Sequence, residues 1–397
     1  MGEAQRGASA STVGEPMSRT LVVTNDFPTR RGGIEAFVFA LCGQLAGDEV
    51  VVYTASMPGA AEFDAEVGFE VVRDRSPVLL PTSRVARRVQ DVLRTRGCDR
   101  VLFGASAPLG LLTSRVRSAG AEHCVALTHG HETWWASVPG ARSAMRRIGD
   151  GCDTLTYVSS WCRDQVARAL SPDARARMRR LTPGVDSQRF APGCGGDDVR
   201  GRLGIQEDAR VVVCAARMVA RKGQDTLVRA WPLVLAAVPE AVLLLVGDGS
   251  YRRNVERLSA GRRVRDSVLF AGSAPWAEMP AYFDAGDVFA MPSRTRLAGL
   301  EPEALGIVFL EAAACGLPVV VGDSGGASDA VRHEETGFIV DPRDPAGVAR
   351  TLIRLLQDRE LAVRMGSAGR DWVSAEWTWA GSGARLRSLL AGKDPDA

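Results

Sequence analysis

Short apolar blocks recur along the chain at the intervals expected of buried strands. Leu21–Thr24, Val50–Tyr53, Val101–Phe103, Val125–Leu127 and Leu155–Val158 form a first set. Val211–Val213, Leu243–Val246, Val268–Phe270, Val288–Met291, Pro318–Val321 and Phe338–Val340 form a second. Between them the apolar period changes. Ile34, Phe37, Val38, Leu41 and Leu45 repeat at helical spacing directly behind Arg31-Gly32-Gly33. Gln224–Val238 reads as another helix, in which Pro232 must sit early or cause a kink. Strands alternating with helices imply crossovers and parallel sheets. The Pro- and Gly-rich stretch Thr182–Asp198 interrupts the alternation, which then restarts, and Ala346–Leu390 reads as mainly helical. The expected fold is therefore α/β, with two Rossmann-like doubly wound domains. They cover residues 18–195 and 196–376, after an extension at residues 1–17 expected to be disordered.

Composition narrows the class. The 397 residues are 46% hydrophobic and 24% charged, enough for two cores. The 49 Lys and Arg against 47 Asp and Glu leave a net charge of +2, so a dedicated nucleic-acid binder is not expected. Cys42, Cys98, Cys124, Cys152, Cys162, Cys194, Cys214 and Cys315 are scattered without a Cys-x-x-Cys pair and read as free thiols. Residues 1–16 lack the apolar core of an export signal, and no apolar run approaches the ~18–20 residues of a membrane span. A cytoplasmic protein is expected. The arginine-bearing segments Arg84–Arg96 and Arg142–Arg147 can serve either as solvated helix faces or as a peripheral contact with an anionic membrane.

In open parallel sheets ligands bind beyond the carboxyl ends of the strands, and four such places carry candidate chemistry. Gly32, Gly33 and Ile34 begin a helix after the first strand, where backbone amides can meet an anion. Thr128-His129-Gly130-His131-Glu132 follows another strand. His129 there can touch a sugar or move a proton, whereas no third ligand completes a metal site. Arg217 and Lys222 flank a helix start and suit a diphosphate, with Arg221 between them expected to face solvent. Glu303 and Glu311 are separated by seven residues around the helix start at Gly306, Ile307 and Val308. There a carboxylate can hold hydroxyls while helix amides receive phosphate. Gly247-Asp248-Gly249 lacks the third glycine of a dinucleotide fingerprint, and neither a Walker loop nor a Gly-x-Ser-x-Gly elbow occurs.

Taken together these motifs resemble the family 4 retaining glycosyltransferases of GT-B fold, from Thr20 to Trp379. Within that family the chain is most similar to actinobacterial GDP-mannose-dependent phosphatidylinositol monomannoside mannosyltransferases. Thr24–Pro28 with Gly32–Ile34, Thr128–Glu132, and Asp287–Pro292 continuing to Glu303 carry this likeness. The resemblance implies two domains facing across a deep cleft, with residues 377–397 forming a helix that packs back on the first. It implies that Gly33 lies against the donor diphosphate or the acceptor, and that His129 contacts the transferred sugar. Arg217 and Lys222 would bind the diphosphate, Glu303 the sugar hydroxyls, the amides at Gly306–Val308 the phosphates, and Glu311 the ribose. No metal and no cofactor are implied, only a nucleotide-sugar donor, GDP-mannose, and a hydroxyl acceptor. That acceptor is a phosphoinositide glycolipid or, as an alternative, a soluble cyclitol or natural product. Leu297-Ala298-Gly299-Leu300-Glu301-Pro302-Glu303-Ala304 departs from the glycine-rich loop of the closest group, which leaves donor sugar and acceptor open. Two other classes fit the fold: a nucleotide-sugar epimerase, which turns over donor alone, and a non-catalytic binder, which would be expected to have lost His129, Glu303 or Lys222.

Overall fold

The computed structural model describes residues 18–30, 32–262 and 264–396; the extension at residues 1–17 and Arg31 lie outside them. Two sheets carry the chain. The first contains β1 (Arg19–Thr24), β2 (Val50–Ala55), β3 (Glu70–Asp74), β4 (Cys98–Phe103), β5 (His123–Ala126), β6 (Thr154–Tyr157) and β7 (Arg179–Arg180). The second contains β8 (Arg210–Ala215), β9 (Ala241–Val246), β10 (Val268–Gly272), β11 (Val288–Met291), β12 (Val319–Gly322) and β13 (Gly337–Val340). The sheet orders are β3-β2-β1-β4-β5-β6-β7 and β10-β9-β8-β11-β12-β13. Every pairing is parallel. The order reverses between β1 and β4 in one sheet and between β8 and β11 in the other. Those two switch points open crevices at the carboxyl ends of the strands.

All eleven apolar blocks of the sequence lie on strands, give or take a residue at the ends. Val211, Val212 and Val213, for example, are wholly buried because helices cover both faces of the sheet. The helix Gln224–Ala237 contains Pro232 near its last turns rather than early. Its neighbours Trp231 and Val234 are fully buried, and that packing holds the helix although the proline removes one backbone hydrogen bond.

The carboxy-terminal helix Trp379–Leu390 leaves the second domain and lies on the first. Ser382 Oγ donates to the Thr182 carbonyl at 2.8 Å, and Arg387 donates to the Gln44 carbonyl at 2.6 Å. The Val185 amide donates to the Trp377 carbonyl at 2.7 Å, so the connecting stretch and the start of that helix are tied together. Gly184 is required there, because a Cβ would lie 2.3 Å from the Trp379 nitrogen.

Candidate active site

At the switch point of the first sheet, β1, β4 and β5 end side by side. The helix Gly33–Cys42 begins after β1, and a Cβ on Gly33 would meet nothing within 4 Å. The fold itself does not need glycine at this position; its effect is to leave room above the strand ends. Gly104, after β4, does need to be glycine, since a Cβ would fall 2.5 Å from Thr24 Oγ1. Asn25 serves the fold: its side-chain amide pairs both ways with the backbone of Leu79, at 2.9 and 2.7 Å.

His129 sits behind β5 with 8% of its surface exposed. Its Nε2 lies 2.6 Å from the Gly104 carbonyl oxygen. A carbonyl only accepts, so Nε2 carries the proton and Nδ1 keeps its lone pair. Burial lowers the ring's pKa below the ordinary imidazole range, against an upward pull from Glu132 and the Gly104 carbonyl. The segment turns at Gly130, whose φ is 104°, and the His129 and His131 rings stack at 6.2 Å. Among the described residues no group of three or more His, Cys, Asp or Glu side chains could hold a metal.

The switch point of the second sheet gathers the charged residues. Lys222 Nζ lies 2.5 Å from Glu303 Oε2, and Arg221 donates to the same oxygen at 3.0 Å. Arg221 is therefore not turned to solvent as its sequence position suggested: a quarter of its side chain is exposed, and the guanidinium caps a buried carboxylate. Arg217 is exposed and takes no part in this cluster. Burial pushes the Glu303 carboxyl up, but Lys222 and Arg221 outweigh it and hold it below the usual carboxylate range. Gly223, with φ of 80°, brings this corner against β11; a Cβ would lie 2.0 Å from the Pro292 carbonyl oxygen. Arg294, beyond β11, donates to Asp225 at 2.7 Å and to Thr226 at 3.0 Å, fixing the start of the Gln224–Ala237 helix.

Glu303 is held by its own backbone as well. Its amide donates to Ser324 Oγ at 3.3 Å, and its carbonyl accepts from the Gly326 amide at 2.8 Å. Gly306, with φ of 84°, then turns the chain into the helix Ile307–Ala314. The first amides of a helix have no partner within it, so those at Ile307 and Val308 are available to an anion. Glu311 stands one turn on. Burial raises its carboxyl to about 7, against the attraction of Arg189. Along the preceding loop Leu297 and Gly299 take positive φ, of 49° and 100°.

The two switch points meet. A Cβ on Gly130 would come within 2.6 Å of Ala304 Cβ, so the neighbour of His129 touches the neighbour of Glu303. Ser159 Oγ donates to the Ala304 carbonyl at 2.7 Å, and the Ser160 amide donates to Asp329 at 2.7 Å. These contacts between domains were invisible in the sequence, because nothing about an isolated serine or alanine announces a partner some 145 positions away. Arg294 and Glu132 were missed as organising residues for the same reason.

Family models match both halves of the chain: Glycosyltransferase Family 4 over residues 31–189 and Glycosyl transferases group 1 over residues 197–372. The chain is 46% identical, over 95% of its length and 99% of the relative's, to the GDP-mannose-dependent alpha-(1-6)-phosphatidylinositol monomannoside mannosyltransferase of Mycobacterium tuberculosis. It is 41% identical, over 94% and 97%, to the GDP-mannose-dependent monoacylated alpha-(1-6)-phosphatidylinositol monomannoside mannosyltransferase of Corynebacterium glutamicum. HepE of Anabaena in complex with UDP superposes with a TM-score of 0.79 at 18% identity, covering 94% of this chain and 99% of that one. Sucrose-phosphate synthase of Thermosynechococcus elongatus does so with a TM-score of 0.74 at 22% identity, covering 94% and 98%. The chain belongs to the family 4 glycosyltransferases and is built on their GT-B fold.

Proposed function

We propose that this glycosyltransferase moves mannose from GDP-mannose to a hydroxyl of a phosphatidylinositol mannoside, with retention of the anomeric configuration and without a metal. The observation that supports the site reading is the contact of Gly130 with Ala304, which brings the segment carrying His129 against the loop carrying Glu303. The identity of the substrates rests on the mycobacterial and corynebacterial relatives.

In this reading the donor diphosphate lies over the amides of Ile307 and Val308, with Arg217 and Lys222 neutralising its charge. Lys222 is then shared between Glu303 and phosphate. Glu303 and His129 Nδ1 accept hydrogen bonds from the hydroxyls of the transferred sugar, and Glu311 accepts from the ribose. The bond between the anomeric carbon and the leaving phosphate oxygen breaks. The acceptor oxygen bonds to the same face of that carbon, and its proton passes to the departing phosphate. Lys222 and Arg217 stabilise the charge that develops on the leaving nucleotide.

Among the described residues no helix is long and apolar enough to cross a membrane. Val78, Leu80, Trp134 and Val138 are exposed on the first domain, as are Arg87, Arg88, Arg146 and Arg147. Exposed apolar side chains and arginines on the same domain suit a peripheral contact with anionic lipid, from which the acceptor would be drawn. The donor assignment is tested by turnover of GDP-, UDP-, ADP- and dTDP-sugars with EDTA present. Preference for GDP-mannose is expected, and preference for another base or dependence on a divalent ion would overturn it.

A further inference from the structure

Glu132 is a fully buried carboxylate in a position where the fold gives it little compensation. It opens the short helix Glu132–Ser137 and is 0% exposed. Its Oε2 accepts the amides of His129 at 2.8 Å and Gly130 at 3.1 Å. Its Oε1 lies 3.3 Å from Nε2 of His131 and 3.5 Å from Ser106 Oγ. Among the described residues no Lys or Arg pairs with it. Taking a carboxylate out of water is costly, and what faces it here is two amides, a hydroxyl and a partly exposed imidazole rather than a fixed cation. A glutamine of the same shape would avoid that penalty, but it would hold the two amides only by weaker, neutral hydrogen bonds.

What the carboxylate grips is the turn that presents His129. Two adjacent N–H groups converge on one oxygen, and charge-assisted bonds of this kind are about twice as strong as neutral ones. The neighbouring Thr133 completes the clamp, its Oγ1 donating to the Gly130 carbonyl at 2.7 Å. Amide and carbonyl of Gly130 are thus both held from one short helix. The far side of Gly130 faces Ala304, next to Glu303. Any rotation of the turn would swing the His129 ring off the Gly104 carbonyl and disturb the seat of the Glu303 loop together.

We infer that Glu132, with Thr133, is a positioning residue for transfer: its carboxylate locks the His129–Gly130 turn, which fixes the His129 ring against the sugar and the crevice wall against the Glu303 loop. This rests on the glycosyltransfer reading, since it assigns His129 to the sugar. A displacement on the order of 1 Å at a reacting centre can lower turnover by about 10²-fold.

The test compares wild type with Glu132→Gln, using GDP-mannose and a phosphatidylinositol monomannoside acceptor. Glu132→Gln is expected to lower kcat by roughly 10- to 100-fold while the KM for GDP-mannose stays within about threefold, because Glu311, Lys222 and the helix amides are untouched. A readout independent of turnover comes from nitrogen NMR of ¹⁵N-histidine, simple in a chain with 4 histidines. Wild type should show His129 as a single tautomer protonated at Nε2, and Glu132→Gln should show averaged tautomers at that residue. A folded Glu132→Gln with kcat within twofold of wild type and an unchanged His129 signal would overturn the inference. If Glu132→Gln does not fold, Thr133→Val carries the test: a lowered kcat at constant KM supports the clamp, and an unchanged kcat overturns it. If wild type itself does not transfer mannose, it is the functional reading that has failed, and the tautomer measurement still decides the clamp.

Discussion

Glu311 should make the protein less stable than it could be. Its side chain is half-buried on the Ile307–Ala314 helix, and loss of water around the carboxyl raises its pKa from 4.5 to about 7. Between those values the folded chain holds a proton that the unfolded chain has released, so stability falls as pH rises through this window. At about 1.4 kcal/mol per pH unit the full effect above pH 7 is about 3 kcal/mol. Glu311→Gln keeps the shape and removes the ionisation. It should therefore be more stable than wild type by about 2–3 kcal/mol at pH 8, a rise in Tm of roughly 5–10 °C for a domain of this size. At pH 5 the wild-type group is protonated when folded, and the gap should shrink below about 1 kcal/mol. Chemical denaturation at the two pH values reads the difference directly. In the same variant GDP should bind roughly 10- to 100-fold more weakly, because a charged acceptor for ribose hydroxyls becomes a neutral one. A stability gap that is absent at pH 8, or that does not change with pH, would refute the argument.

Two further outcomes follow from the geometry. Lys222→Ala leaves Glu303 to Arg221 alone and removes a cation from the leaving group, so kcat/KM should fall by about 10²–10³ with the circular dichroism spectrum unchanged; near-normal turnover would remove Lys222 from the site. Gly223→Ala places a Cβ 2.0 Å from the Pro292 carbonyl oxygen at a φ of 80°, so unfolding free energy should drop by at least about 2 kcal/mol. A loss below about 0.5 kcal/mol in urea titration would mean that the close approach of this turn to β11 is not tight.

The alternation of apolar blocks and helical periods was enough to read both sheets, because strands such as β9 and β12 are buried on both faces and have no polar interruption. β3 escaped for the opposite reason: Glu-Val-Val-Arg-Asp at a sheet edge is mostly half-exposed, so its composition does not resemble a core strand. β7 has two residues, both arginine, and carries no pattern at all. The positions of Lys222, Glu303 and Glu311 relative to helix starts were legible, because each sits at a fixed offset from one. Arg221 was misread because alternation along a loop does not say which way a long side chain folds back, and a buried carboxylate nearby decided it. Glu132 stood in plain view within a motif, but its bonds run to backbone amides, and backbone geometry at a turn such as Gly130 is not encoded in residue spacing.

The central claim is transfer of mannose from GDP-mannose to a lipid-borne inositol mannoside. It is tested most directly by incubating the purified chain with GDP-mannose and phosphatidylinositol monomannoside in anionic vesicles, then determining the anomeric configuration of the product by NMR. The account predicts a dimannosylated lipid with a new α-linkage, formed with EDTA present and lost in Lys222→Ala. No transfer to the lipid, or a β-linked product, would contradict it.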